Sequence, residues 1–303
     1  WTSIVENIDR SDFDNEYVSV ADLPRKALAT HPWSLTGGGA DRLLEAVKAT
    51  TSRPLGAVVS DVGSSIVTRA DDAYLLGMRT LIRRGVNATQ IVPLVDGDDI
   101  RDWRFASGTH ALWPYDPKSL NAEIDGPSEQ ILWASRSNLS GRVAYGKSQL
   151  ERGLEWFEYS MFFVRRFLSP LCISWSGLAT HNHFVLGRGG RLYNRWGPLV
   201  TLPEGATEDD HLALLGVLNS STACFWLKQN SHGKGNGGVN EGFRGDDWEE
   251  FYEFTGTTLK DFPLPADLPT QRARSLDEAA RHAATRFESV SYTHLTLPTN
   301  REV

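Results

Sequence analysis

Residues 217–228 read Val-Leu-Asn-Ser-Ser-Thr-Ala-Cys-Phe-Trp-Leu-Lys, and residues 252–265 read Tyr-Glu-Phe-Thr-Gly-Thr-Thr-Leu-Lys-Asp-Phe-Pro-Leu-Pro. Together they predict an apolar helix that ends in a Leu-Asn-Ser turn, followed by a loop and a short closing strand. We place this helix over 208–218, because acidic residues suit its first turn and leucines three positions apart suit one buried face.

The rest of the chain predicts short strands between turns, with a few helices. An aromatic-rich run over 149–168 predicts a helix that Pro170 ends. Ser275-Leu276-Asp277-Glu278 is a capping-box pattern, and it predicts the start of a final helix that ends near Glu288. The predicted fold class is α+β, with short twisted antiparallel sheets packed by helices. Strands are predicted at 54–68, at 91–95, at 111–116 as a proline-bearing edge strand, and as a β-meander at 172–175, 184–186 and 199–202.

Composition bounds the class of protein. Of 303 residues, 40% are hydrophobic and 23% are charged, which is typical of a globular protein. No apolar run reaches the roughly 18 residues of a membrane helix, so we expect no membrane contact. Cys172 and Cys224 are the two cysteines, and we interpret both as core thiols of a reducing compartment, which predicts a cytoplasmic location.

The formal net charge is −7, yet positive charge is concentrated between residues 136 and 195, where nine basic residues face three acidic ones. Such asymmetry indicates a polyanionic partner. A solvated protein surface accounts for the same pattern. The nine basic residues are Arg136, Arg142, Lys147, Arg152, Arg165, Arg166, Arg188, Arg191 and Arg195.

Four segments in order carry a family resemblance: Gly97–Trp103 with Trp113–Asp116, Ala179–Arg195, the Leu-Asn-Ser-Ser segment and Trp248–Gly256. They resemble the C-terminal specificity region of restriction-modification adenine methyltransferases, and most closely the PglX-type enzymes of BREX phage-defence systems. The resemblance implies a target-recognition fold and double-stranded DNA as partner, with other phage-defence proteins as further partners. It also implies adenine N6 methylation with S-adenosylmethionine by the parent enzyme.

The chain itself lacks the motifs for that chemistry. It has no Asn-Pro-Pro-Tyr motif for the target base and no glycine-rich loop after a strand for the cofactor. Because the chain begins at Trp1 rather than at methionine, we expect a fragment whose catalytic half lies upstream. On this interpretation the fragment alone is inactive and binds no cofactor.

The resemblance also suggests how the chain is divided. Residues 1–52 are expected to be a connector, 53–268 the DNA target-recognition domain and 269–288 a C-terminal helix. Residues 289–303 have no helical period and resemble translated sequencing adapter, so we expect a non-native tail.

His181-Asn182-His183 spells the letters of HNH nucleases, although no ββα metal element follows it. We therefore predict no metal here and expect contact with DNA bases or phosphates, since Asn pairs with adenine and His donates to phosphate. A polar strand end is the plain alternative.

Other DNA-binding candidates lie downstream of this segment. Arginines around Gly189-Gly190 suit phosphate or guanine, and the stretch 231–240 is glycine-rich and basic. A solvated hairpin and a plain surface loop are the alternatives. These candidates are Arg188, Arg191, Asn194, Arg195, Lys228 and Lys234.

Two other functions remain open at this point. One is a stand-alone DNA specificity or interaction module without a methyltransferase. The other is an unrelated hydrolase that uses His181, His183 and aspartate pairs. An Asn-Pro-Pro-Tyr motif encoded upstream of Trp1 would favour the methyltransferase over both.

Overall fold

The computed structural model of the chain describes residues 1–20, 22, 25, 29, 40–106, 108–234 and 250–296, without the side chains of residues 41 and 286–296. Most of the stretch 231–240 and the start of the segment Trp248–Gly256 therefore lie outside the described residues.

The α-helices differ widely in length. They are α1 Thr2–Asn7, α2 Ala40–Ala49, α3 Asp71–Tyr74, α4 Met78–Arg83, α5 Gly126–Trp133, α6 Arg136–Gly141, α7 Val164–Phe167, α8 Glu208–Leu218, α9 Ser221–Asn230, α10 Gly256–Lys260 and α11 Thr270–Thr296. None of the described helices is long and apolar enough to cross a membrane.

The strands are short. They are β1 Phe13–Asp14, β2 Ser19–Val20, β3 Arg53–Pro54, β4 Asp61–Gly63, β5 Ile66–Val67, β6 Leu75–Leu76, β7 Ile91–Val95, β8 Ile100–Arg101, β9 Arg104–Phe105, β10 His110–Leu112, β11 Val143–Ala144, β12 Lys147–Ser148, β13 Met161–Phe162, β14 Cys172–Trp175, β15 Leu178–Ala179, β16 Phe184–Gly187, β17 Leu192–Tyr193, β18 Leu199–Thr201, β19 His232–Lys234, β20 Phe251–Glu253 and β21 Pro263–Leu264. Helices packed on short, mostly antiparallel sheets confirm the α+β prediction.

One four-stranded antiparallel sheet, in the order β16-β14-β18-β4, forms the centre of the fold. All residues of β14 and β16 are buried, so both faces of this sheet are covered. Along β14, Ile173 and Trp175 belong to one hydrophobic cluster and Cys172 belongs to another, because successive side chains of a strand point to opposite faces of the sheet. The cluster of Ile173 and Trp175, which we call the first core, also includes residues of α8 and α9. Helix α8 packs on α11 as well.

A second four-stranded sheet, in the order β17-β7-β10-β6, supports a separate aromatic core. Trp113 stacks on Phe167 with ring centroids 4.8 Å apart, and Tyr159 packs edge-on against Tyr74 at 5.2 Å. The aromatic residues of the run 149–168 therefore contribute mainly to packing rather than to an exposed stacking surface for bases.

The Leu-Asn-Ser turn has a specific task in the fold. The Asn219 side chain accepts a hydrogen bond from Phe184 N and donates one to Phe184 O, both at 2.9 Å, so it closes the exposed edge of β16. Ser220 then caps α9 by accepting from Ala223 N. The predicted helix 208–218 is confirmed, and the turn leads into a second helix rather than a loop.

Three predicted elements are wrong. The helix over 149–168 is instead a 3-10 turn, β13 and the short α7. The β-meander is not one, because β14 lies between β16 and β18. Strand β10 is central rather than an edge, since it ends at Leu112, before Pro114.

The final helix begins earlier than the capping-box pattern predicted. Helix α11 starts at Thr270, so Ser275 is an internal residue whose hydroxyl donates to Gln271 O. The helix bounds reach Thr296, past the expected end near Glu288. The division of the chain and the foreign origin of residues 289–303 stay predictions.

The two cysteines are both free thiols, and Cys172 is buried whereas Cys224 is half-buried. Burial raises the pKa of Cys172 to about 11, so this thiol stays protonated and unreactive at neutral pH.

Candidate nucleic-acid interface

A small sheet in the order β15-β20-β19 contains Lys234, and several other predicted site residues lie beside it. The chain leaves β15 into residues 180–183, and α9 delivers Lys228 beside Tyr252 of β20. The β8–β9 hairpin lies against the same region, because Trp103 N donates to Phe184 O at 3.1 Å. Segments far apart in sequence therefore form one surface. We call it the β20 face, and it consists of the sheet β15-β20-β19, residues 180–183, the β8–β9 hairpin and Lys228 of α9.

His181 and His183 lie together with Asp102 of the β8–β9 hairpin. The imidazole centroids are 4.1 Å apart, and His183 Nδ1 lies 2.7 Å from Asp102 Oδ1. His181 Nδ1 lies 3.0 Å from Thr180 Oγ1. Partial burial is the main cause that lowers the pKa of His181, with a smaller contribution from His183 and an opposing one from Asp102. His181 is therefore mostly neutral at physiological pH.

Positive side chains surround this pair of histidines. Arg101 is exposed, and both Arg101 and Lys228 act electrostatically on His181. Lys228 Nζ lies 5.2 Å from the Tyr252 ring centre, a cation–π contact. Lys234 is exposed and its Nζ lies 3.1 Å from a Glu253 carboxylate oxygen. The β20 face thus combines several cations with polar rings.

Arg195 lies on the rim of a neighbouring cleft of about 350 Å³. The cleft is bounded by Trp196, Glu253 and Lys260, and the Arg195 guanidinium carbon lies 5.0 Å from the Trp196 ring centre. Gly177 N donates to Trp196 O at 2.7 Å, which fixes the 195–196 loop beside β15. The cleft extends the β20 face, since Glu253 belongs to both.

The structure gives the two predicted asparagines internal partners. Asn182 is buried and its Nδ2 donates to Leu218 O at 2.5 Å. Asn194 is buried and its Oδ1 accepts from Trp196 N and Gly197 N at 2.9 and 3.0 Å. Neither amide is exposed for a base without a change in the fold.

Arg188 and Arg191 have partners outside the β15-β20-β19 sheet. The Arg188 guanidinium forms ion pairs with Glu208 at 2.7 Å and with Asp277 at 2.6 Å, and so joins β16 to α8 and α11. The Arg191 guanidinium carbon lies 4.8 Å from the Phe105 ring centre. Of the predicted site residues, the structure brings together His181, His183, Arg195, Lys228 and Lys234.

We expect Arg188→Ala to lower the free energy of unfolding by about 1–3 kcal/mol, because Asp277 is 2% exposed and, among the described residues, keeps only Arg281 as ionic partner. Urea denaturation measures the loss, with exposed Arg165→Ala as control. Arg188 lowers the pKa of Glu208, so this contribution is present above the usual carboxyl pKa and declines as pH falls below it. Equal stability of the two variants would contradict a structural role.

The basic stretch 136–195 is not one surface. Arg142 is buried, Arg166 pairs with Asp61 at 2.8 Å, and Arg152 donates to Ser160 O at 2.6 Å. Sequence reasoning missed Arg101, Asp102 and Lys260. The first two belong to the segment Gly97–Trp103, and the family resemblance of that segment was the signal that could have identified them.

No protein-family model matches this chain. Over 294 residues the chain is 37% identical to the adenine-specific methyltransferase PglX of Streptomyces coelicolor. The matched region is 94% of this chain and 24% of PglX, so the chain spans about a quarter of the length of that relative.

Two solved structures match this chain in part. The type IIG restriction endonuclease BpuSI matches with a TM-score of 0.50 and 14% identity over 80% of this chain and 28% of that protein. The type IIL restriction-modification enzyme MmeI in complex with DNA matches with a TM-score of 0.41 and 10% identity over 76% of this chain and 28% of its own. The identity with PglX confirms the resemblance to adenine-specific methyltransferases of the PglX type that the sequence segments predicted.

Proposed function

We propose that this chain is a DNA target-recognition region of a site-specific adenine N6 methyltransferase that acts in phage defence. One observation carries the proposal: the β20 face gathers the cations Arg101, Lys228 and Lys234 from two distant segments of an acidic chain. Cations concentrated on one face of a protein with net charge −7 suit a polyanion.

The similarity to part of PglX supports this choice of polyanion. Exposed Arg101 and Arg195 are placed to contact phosphates and fix the register of the duplex. In this proposal the ring of Trp196, beside the cleft, meets an unstacked base. Asn182 and Asn194 contribute to base recognition indirectly, because their amides hold the backbone of the loops in which they lie.

Methyl transfer is assigned to other parts of a longer protein. A nucleotide-like cofactor is commonly held at a glycine-rich turn between a parallel strand and a helix. Among the described residues, α8 and α9 begin instead at side-chain caps, Thr207 and Ser220, so neither helix offers such a turn. The cofactor, the inactivity of this chain alone and its cytoplasmic location all stay predictions.

A salt titration of DNA binding tests the proposal. Three cations of the β20 face and its cleft are removed by Arg101→Ala, Arg195→Ala and Lys228→Ala in one chain. We expect the log–log slope of affinity against salt to become shallower by about 0.9 for each phosphate that is no longer neutralised. Fluorescence anisotropy with a labelled random-sequence duplex measures the slope, and selection from a random duplex pool measures sequence preference.

The matched control removes three exposed cations from other elements, by Arg136→Ala, Lys147→Ala and Arg165→Ala. Both triple variants change the net charge equally, so a general charge effect moves both slopes together. A shallower slope in the control but not in the β20-face variant would place the DNA elsewhere. No DNA binding by the unchanged chain would refute the proposed function.

A further inference from the structure

Asp102, His181 and His183 form a cluster that DNA contact does not require. One ligand atom from each lies within 4.8 Å of the others, and among the described residues this group alone meets that condition. We propose, in place of the sequence-based prediction that no metal binds here, that the three side chains bind a divalent transition-metal ion of the zinc class.

The geometry is close to what such an ion needs. Ligand atoms bound at about 2.0–2.2 Å from one ion lie at most about 4.4 Å apart. His183 Nδ1 and Asp102 Oδ1 already meet at 2.7 Å, and a tetrahedral ion in place of their shared proton would hold them about 3.3 Å apart, which is about 0.6 Å farther. Asp102 is 52% exposed and free to make that adjustment.

His181 completes the set from the other side. Its Nδ1 is engaged with Thr180 Oγ1 at 3.0 Å, which leaves Nε2 as the ligand atom and holds the ring in place. A hydrogen bond on the second ring nitrogen is the usual support of a metal-binding histidine. The His183 side chain is 13% exposed, so its ring is held by packing.

The donor atoms select the kind of ion. Two imidazoles and one carboxylate favour Zn²⁺ and its neighbours over Mg²⁺ or Ca²⁺, which prefer oxygen ligands. Three protein ligands leave a fourth position for water. Arg101 and Lys228 add positive charge nearby, so we expect binding to be weaker than at a closed four-ligand site.

The ion would join parts of the chain that are far apart in sequence. Asp102 and His183 are separated by 81 positions, and they belong to the β8–β9 hairpin and to the entrance of β16. An ion that binds only the folded chain raises its stability in proportion to the logarithm of concentration above Kd. Thermal stability therefore reports on the site independently of DNA.

The test is a titration of the untagged, chelator-treated chain with Zn²⁺ alone, followed by calorimetry. We expect one equivalent to bind saturably and Tm to rise with Zn²⁺. His181→Gln, His183→Gln and Asp102→Asn should each weaken binding at least tenfold. His282→Gln removes an exposed histidine of α11 and should leave binding unchanged. Circular dichroism in the absence of metal verifies that each variant is folded.

Replacement of Zn²⁺ by Co²⁺ provides a second readout, since visible d–d bands report on coordination by the imidazoles. Zn²⁺ binding that is unaffected by His181→Gln and His183→Gln, or no saturable binding at all, overturns the proposal. Neither measurement uses DNA, so the metal site and the proposed function can fail separately.

Discussion

We expect Arg142→Met to lower the free energy of unfolding by about 3–5 kcal/mol, although its charge alone predicted a DNA contact. Arg142 is 5% exposed. Its guanidinium donates to the carbonyls of Thr68, Leu139, Trp156 and Glu158 at 2.5–3.2 Å. Methionine fills similar space but donates nothing, and each buried carbonyl without a partner costs about 1–3 kcal/mol.

Urea denaturation followed by fluorescence measures this loss, and Arg136→Met is the matched control because Arg136 is exposed. The salt dependence of DNA binding should be the same in both variants under conditions where they are folded. A stable Arg142→Met with a shallower salt slope would return Arg142 to the DNA surface.

Trp175→Ala should cost a similar amount, about 3–5 kcal/mol. Trp175 is 1% exposed at the end of the central strand β14, and its indole Nε1 donates to Phe254 O at 2.8 Å. The substitution removes buried ring volume and also leaves that carbonyl without its donor. Because Phe254 follows β20, the loss should also loosen the β20 face.

Two further variants separate these contributions. Trp175→Phe retains most of the ring volume but not the hydrogen bond, so we expect a smaller loss, on the order of 1–3 kcal/mol. Trp133→Ala removes a tryptophan that is 54% exposed and should have little effect. If Trp175→Ala were as mild as Trp133→Ala, the central sheet would not depend on this side chain.

Local signals predicted α8 well. Thr207 and Asp210 form a capping box at its start, and its leucines lie in the first core. The run 149–168 also has helical spacing, but tertiary contacts override it. Gly153 has a φ of 75°, and Arg142 binds the carbonyls of Trp156 and Glu158, which a helix would use for its own hydrogen bonds.

The sequence predicted which residues could belong to the candidate site, but it did not predict the partners of their side chains in the fold. The segment around His181 and the cations Arg195 and Lys228 could be chosen from the sequence. Whether a side chain is available depends on residues far along the chain. Arg188 pairs with Asp277, which is 89 positions away, and no local pattern indicates such a pair.

The pairing of β3 with β21 brings together two points of the chain that are far apart in sequence. Ser52 N donates to Leu264 O and Leu55 N donates to Phe262 O, both at 2.8 Å, although Ser52 and Leu264 are 212 positions apart. The two ends of the segment between them therefore lie next to each other in the folded chain. An exchange of this segment between related proteins needs two junctions that are neighbours in the folded molecule, and the incoming segment must also fit α11, which lies outside it and packs on α8.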